Sequence, residues 1–320
     1  MIKDKKIAKK RVSRVLKELE LTPCNPINKV LNNQTLRAYL GQVQDKKGNS
    51  FFLKVRVQDF ESQKKYFRKS HFLGKILNKN PHFSFNKKTP RLLSSKFGSN
   101  IDYLLYEYVK GDNLGTRRFY DVIRLRMTEI DGVLYILKAL LEIPIKAFPK
   151  AYDKGGTSFL KAKFQDCAAL GVDKFLEKAE FIKLKKISRL PLFDKYTRFF
   201  CHGDFKPNNF IRTQKGIFVV DFETSLISNQ FFDFFSIWAY AIRKPRWRKT
   251  LMKRFLEEYQ FRSREEHILF EAEKILFLVF EIGSVLRYFE RNLTRTGIKT
   301  AKRYLPVRIE ELKKELRFSF

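Results

Sequence analysis

The spacing of apolar positions changes character twice along the chain, and each change marks a different kind of secondary structure. Ala8, Val12, Val15, Leu16 and Leu19 recur at helical spacing, with Lys5, Lys6, Lys9, Lys10 and Arg11 mostly on other faces. Residues 5–20 therefore predict a basic amphipathic helix, ended by the proline-bearing stretch LTPCNP at 21–26. Short runs suited to strands follow at 29–31, 37–43 and 50–57, with the polar QDKKGN between the last two as a hairpin turn. A helix is expected over 59–79, then strands at 91–97 and 102–109, which makes a small, mostly antiparallel sheet carrying one helix. Past the punctuating KGDN at 110–113 the period is helical nearly throughout, at 116–142, 157–188, 230–243, 247–261, 264–292 and 298–317. One stretch breaks it: residues 198–225 alternate short β-rich runs (199–201 and 217–220) with polar loops. The pattern predicts an α+β chain in three parts: a basic helix at 1–22, a small sheet region at 23–110, and a larger, mainly helical region at 111–320 that contains the polar loops.

Composition narrows this further. With 320 residues, 44% of them hydrophobic and 33 of them Phe, the chain buries enough for one large domain or two lobes and is not disordered. Charge is the outlying quantity: 66 Lys and Arg stand against 34 Asp and Glu, a net +32. Residues 1–110 hold 25 of the basic and eight of the acidic side chains, so the first third is the more basic part per residue. Such a surface attracts polyanions, whether phosphate-rich ligands, an anionic membrane surface or nucleic acid. The segment IRKPRWRKTLMKRF at 242–255 carries seven basic residues and Trp247 with no acid, and is a candidate for lipid phosphates or nucleic acid. Its alternative is an exposed helix end on a basic protein. Three cysteines, Cys24, Cys167 and Cys201, form no disulfide framework, and His71, His82, His202 and His267 lack zinc spacing to them. The basic opening has no secretory apolar core, and no apolar run reaches the length of a membrane span. The expectation is a soluble, cytoplasmic protein, with peripheral membrane attachment as an added candidate.

The candidate chemistry lies in CHGDFKPNNF at 201–210 and VVDFE at 219–223. Asp204 precedes Asn209 by five residues and Asp221 follows after twelve more, at the end of an apolar strand. Two kinds of oxygen ligand and one further carboxylate are what phosphoryl transfer asks for: an acceptor for a hydroxyl proton, and an Asn and an Asp for Mg²⁺. Lys54, inside SFFLKVRV and flanked by apolar residues, is expected to face inward.

In these motifs the sequence resembles the aminoglycoside phosphotransferase and choline kinase family of protein-kinase-like enzymes. HGDFKPNNF resembles its HGDxxxxN catalytic loop, and VVDFE its metal-binding D-[FWY]-E. The resemblance runs over about residues 28–240 and implies a two-lobed protein-kinase-like fold, with ATP and Mg²⁺ as cofactors. It implies Asp204 as the catalytic carboxylate, Asn209 and Asp221 as metal ligands, and His202 as a loop-shaping residue. Lys54 resembles the strand lysine that holds nucleotide phosphates. Glu107 and Tyr108, in LLYEYVKGDNL, resemble the hinge whose backbone faces adenine. Asp233 resembles the aspartate that braces the catalytic loop. Glu223, beside Asp221, and Lys206, which shapes the turn and steadies the transferred phosphate, are supporting residues.

Two departures stand out. The turn expected to cover the phosphates, LNNQTLRAY with Asn33, Gln34 and Thr35, has no glycine. Glu61 is the only acid between residues 60 and 80 available to pair with Lys54. The implied function is transfer of the γ-phosphoryl group to a hydroxyl of a small molecule such as a sugar, amino-alcohol or aminoglycoside. The alternative is a kinase-shaped binding protein that contacts membrane or nucleic acid. Acids at 257–290 (Glu257, Glu258, Glu265, Glu266, Glu271, Glu273, Glu281 and Glu290) are candidates for a cationic acceptor, with a solvated helix face as the alternative.

Overall fold

Helix α1 (Ile2–Glu18) turns Ala8, Val12, Val15 and Leu16 onto one face of a five-stranded antiparallel sheet. The computed structural model describes residues 2–27, 38–57, 61–97, 101–115, 124–148, 164–165, 171–290 and 295–318. The predicted strand at 29–31 and the first part of each helix predicted at 116–142 and 157–188 lie outside them. The sheet runs β1 (Thr22–Pro23), β2 (Ala38–Gln44), β3 (Ser50–Arg56), β5 (Tyr103–Glu107), β4 (Leu92–Lys96) in spatial order. The β2–β3 turn closes on Asp45, whose carboxylate accepts the Lys47 and Asn49 N–H groups, and Gly48 supplies the positive φ of 83° that the turn needs.

Strand alternation divides this sheet between two helices. Leu53, Val55, Tyr103 and Leu105 pack under α1, while Leu104 and Tyr106 turn to the other face, where Phe67 of α2 (Glu61–Lys79) meets them.

Chain contacts divide the protein into two units: Met1–Asp112 with Ile211–Ser225, and Asn113–Phe210 with Leu226–Phe320. The first holds the sheet, and most of a hairpin of β7 (Phe210–Thr213) and β8 (Gly216–Val219) belongs with it. The second is mainly helical: α3 (Ile130–Leu141), α4 (Lys178–Ile187), a short α5 (Leu192–Lys195), α6 (Phe232–Tyr240), α7 (Pro245–Glu258), α8 (Arg264–Glu290) and α9 (Arg295–Phe318). A two-stranded ladder, β6 (Phe199–Cys201) with β9 (Leu226–Ser228), sits among them. Its core is aromatic, with Phe231, Phe234 and Phe235 fully buried and Phe234 stacked on Phe255 at 3.9 Å.

Two of the predicted helices are broken, among the described residues, inside their predicted spans. Arg126 is extended (φ −109°, ψ 154°) and its N–H donates to Glu129 Oε2 at 2.7 Å, so α3 begins only after a 3₁₀ turn. Gly171 takes a left-handed φ of 83°, and the Glu180 carboxylate caps the Glu177 N–H at 2.9 Å, so α4 begins at Lys178. In both cases a side-chain cap competes with helix continuation.

The apolar sides of both basic segments, the helix at 5–20 and the stretch 242–255, are committed to a core. The apolar face of α1 is covered by the sheet, and Arg11 donates to Val57 O at 3.2 Å. In 242–255, Trp247, Leu251 and Phe255 are core residues, Trp247 Nε1 donates to Arg126 O, and Arg248 stacks on Trp238 while pairing with Glu311. An amphipathic helix whose apolar side is already buried has nothing left to insert into lipid. Among the described residues no helix is long and apolar enough to cross a membrane.

Candidate active site

Lys54 follows from the alternation of β3. Its neighbours Leu53 and Val55 point under α1, so Lys54 points to the face it shares with Leu104, its partner in β5. There, 6% exposed, its Nζ lies 2.6 Å from Asp221 Oδ1 and 3.0 Å from Glu223 Oε1. Burial works to lower the Lys54 pKa, but the two carboxylates outweigh it and hold the amine above its ordinary value, so it stays charged. Glu223 is pushed up by burial and by the charge of Asp221, with Lys54 opposing.

The two acids face one amine because of the turn between them. Asp221 takes a left-handed backbone (φ 73°, ψ 65°), which Asp tolerates at a cost of about 1 kcal/mol. A 3₁₀ turn at Phe222–Thr224 follows, closed by Ser225 Oγ donating to Phe222 O at 2.7 Å. Phe222 packs edge-on against Phe85 at 5.5 Å. Lys69 of α2, itself buried, donates to Ser225 O at 2.7 Å.

In the second unit, β6 ends just before His202, and Asp233, in the first turn of α6, accepts the His202 N–H at 2.6 Å and the Gly203 N–H at 3.0 Å. Gly203 has a φ of 81°. Burial pushes Asp233 up to about 7, while the two donors pull it down. The Asp204 N–H donates to His202 Nδ1 at 3.2 Å, so that nitrogen carries no proton, and the ring is fully buried beside Phe205. Asn209 Nδ2 donates to Asp204 O at 2.8 Å and to Asp204 Oδ2 at 3.1 Å, leaving Oδ1 as the amide's remaining acceptor. Lys206 Nζ lies 2.6 Å from Asp204 Oδ2. Phe205 and Phe210, both fully buried and edge to face at 4.7 Å, anchor the loop.

Other expected residues fall differently. Asn33, Gln34 and Thr35 lie outside the described residues. Glu61 opens α2 and its side chain is likewise outside them; the acids found on Lys54 are Asp221 and Glu223. Glu107 does not offer its N–H to a ligand: it donates to Arg91 O at 3.0 Å, and the Glu107 side chain pairs with Arg91 at 3.1 Å. That pair borders a hollow of about 740 Å³ also lined by Asn78, Asn86 and Leu92, which contains neither Lys54 nor Asp221. Tyr108 lies past the end of β5 and is partly exposed. Most of the acids proposed for a cationic acceptor are engaged: Glu258 with Lys138, Glu265 with Lys195, Glu271 with Lys274, Glu281 with Arg308 and Glu273 with Asn229.

Sequence reasoning missed Lys69 and Tyr106. Lys69 shares a helical face with buried Leu73 and Ile76, a lysine among apolar positions at helical spacing, which was the available signal. Tyr106 shares the Lys54 face with Leu104, and its hydroxyl is raised to about 12 by burial, against the pull of Lys54.

Residues 43–267 match the model of the phosphotransferase enzyme family (APH). Similar solved structures include an aminoglycoside phosphotransferase from Alicyclobacillus acidocaldarius, 15% identical over 92% of this chain and 96% of that one, with a TM-score of 0.57. Choline kinase LicA from Streptococcus pneumoniae is 14% identical over 96% of this chain and 98% of its own, with a TM-score of 0.56. Amicoumacin kinase hAmiN, in complex with AMP-PNP, Ca²⁺ and Ami, is 13% identical over 96% of both chains, with a TM-score of 0.56. At such identities the likeness is one of fold, which is protein-kinase-like. None of the curated proteins compared with the chain matches it.

Proposed function

Because the chain belongs to the phosphotransferase enzyme family, we propose that it transfers the γ-phosphoryl group of ATP to a hydroxyl of a small molecule, with Mg²⁺ as the accompanying ion. The observation that carries this reading is the meeting of Lys54 with Asp221 and Glu223, 167 and 169 residues away in the chain. An amine that stays charged beside carboxylates on a strained turn suits a triphosphate and its counter-ion. The nucleotide and divalent ion bound by the amicoumacin kinase support the same pairing of ligands.

The donors fit Mg²⁺. Asp221 offers a carboxylate and Asn209 an amide oxygen, hard ligands of the kind this ion takes while keeping water and phosphate oxygens. Among the described residues no three His, Cys, Asp or Glu side chains gather into a metal cage of their own. When bound, the ion neutralises phosphate charge and fixes phosphate orientation.

The chain's residues do the rest. Asp204 accepts the proton of the acceptor hydroxyl, whose oxygen forms a bond to the γ-phosphorus as the bond to the bridging oxygen of ADP breaks. Lys206 and Asn209 hold the Asp204 carboxylate in place, and Asp233 holds the backbone before it. Lys54 balances phosphate charge, and Lys206, paired with Asp204, steadies the group in transit.

Asp204→Asn keeps the shape and removes the base. Turnover is expected to fall roughly 10³-fold, while Mg²⁺-dependent AMP-PNP binding by calorimetry stays near wild type. Wild-type turnover no greater than that of Asp204→Asn, across sugars, amino-alcohols and aminoglycosides, would instead identify a kinase-shaped binding protein.

A further inference from the structure

A hydroxyl that gives its proton to Asp204 must come within hydrogen-bond reach of it, so side chains contiguous with Asp204 in the second unit receive the acceptor. Lys206 is bonded to Asp204 at 2.6 Å, and its Nζ lies 5.8 Å from the ring centre of Tyr240, the last residue of α6. Burial, and after it the charge of Asp204, raises the Tyr240 hydroxyl above its ordinary pKa, which places that hydroxyl in the field of the carboxylate. Three residues on, the Arg243 guanidinium lies 5.4 Å from the ring centre of Tyr304 in α9, and that of Arg303 lies 5.9 Å from the same ring. Arg308, one turn along α9, donates to Ala239 O at 3.3 Å and so ties α9 to the end of α6.

The buried and half-buried carboxylates of the same elements are occupied. Glu281 pairs with Arg308 at 2.9 Å, Glu311 pairs with Arg248 at 2.6 Å, and Asp233 faces two backbone N–H groups. An acceptor bearing an ammonium group meets like charge here, whereas one bearing an anion meets ammonium and guanidinium donors on an aromatic base. The net charge of +32 favours the same partner at longer range.

We infer that the acceptor is an anion, a hydroxyl compound carrying a phosphate or carboxylate group, recognised through Lys206, Arg243 and Arg303 around Tyr240 and Tyr304. The inference rests on the phosphotransferase reading, because it takes Asp204 as the point the acceptor hydroxyl must reach.

The test uses matched acceptors with the full chain, ATP and Mg²⁺: glucose, glucosamine and glucose 6-phosphate, and glycerol against glycerol 3-phosphate. A further arm compares phosphatidylglycerol-containing vesicles with pure phosphatidylcholine vesicles. The anionic member of each set is expected to show a kcat/KM about ten-fold or more above its neutral twin. Arg243→Gln and Arg303→Gln are expected to raise KM for the anion about five-fold while changing kcat less, and to leave AMP-PNP affinity near wild type. Activity on the lipid but not on glycerol 3-phosphate supports a membrane-borne anion, and the reverse a free one. A better neutral or amino acceptor, or an anion whose KM ignores both substitutions, overturns the inference.

If the wild type phosphorylates none of these, thermal shift of the AMP-PNP complex decides. A larger rise with glucose 6-phosphate than with glucose, lost in the Arg243→Gln/Arg303→Gln double variant, supports it; equal rises overturn it. The parent reading fails separately, by absent Mg²⁺-dependent AMP-PNP binding together with turnover equal to that of Asp204→Asn.

Discussion

Lys54 shows how much one side chain is asked to do. It balances one half-exposed and one half-buried carboxylate, at 43% and 23% side-chain exposure, so its removal acts on stability and chemistry together. Lys54→Met is expected to cost about 2–3 kcal/mol in denaturant unfolding, because Glu223 loses its cation, and to lower kcat/KM at least ~100-fold. Adding Glu223→Gln should restore much of the stability and none of the turnover. Equal recovery of both would make the lysine purely structural. That Lys54 points inward was legible from its apolar neighbours. Its pairing with Glu223 was not, because it depends on the left-handed turn at Asp221, which no local pattern announces.

At the scale of elements, α2 reaches the Asp221–Glu223 turn through a cation, Lys69, bonded to the carbonyl of Ser225. Lys69→Met should loosen the turn that presents Asp221, raising the Mg²⁺ concentration for half-maximal activity about ten-fold, with partial rescue by Lys69→Arg. Metal-free AMP-PNP binding should move little. If it weakens equally, Lys69 serves the fold and not the turn. Helix α8 makes a different contact: Glu273, fully buried, accepts from Asn229 Nδ2 at 2.8 Å, close behind the β6–β9 ladder. Burial raises Glu273 from 4.5 to about 8, so folding favours its protonated form. The stability it contributes is full below about pH 4.5 and is lost as pH rises through 8. Glu273→Gln should therefore be more stable than wild type at pH 9, by up to a few kcal/mol, with the gap shrinking toward pH 5 in unfolding titrations. The helices predicted at 116–142 and 157–188 were legible from their period, but the breaks before Ile130 and Lys178 were not, since the Glu129 and Glu180 caps decide them.

For the molecule as a whole, charge is the dominant variable. Many acids are already paired, so the net +32 is borne mostly by basic side chains repelling one another. Raising NaCl from low to physiological ionic strength should raise Tm by a few degrees. A fall in Tm would mean that the ion pairs outweigh the repulsion. The same charge suggested contact with lipid phosphates or nucleic acid at the basic segments; the structure gives their apolar faces to the core of each unit, which no charge count reveals.

By itself the sequence determined the order of most elements, the facing of residues within each, and the short ordered spacing of Asp204, Asn209 and Asp221. All of these are local, being read from a period of two or of 3.6 or from a short spacing. Tertiary structure alone decided which distant groups meet: Lys54 with Glu223, Lys69 with Ser225, Asp233 with the backbone of His202 and Gly203. The physical reason is that periodicity records which side of an element is buried, whereas the partner found there depends on how the chain returns after many residues.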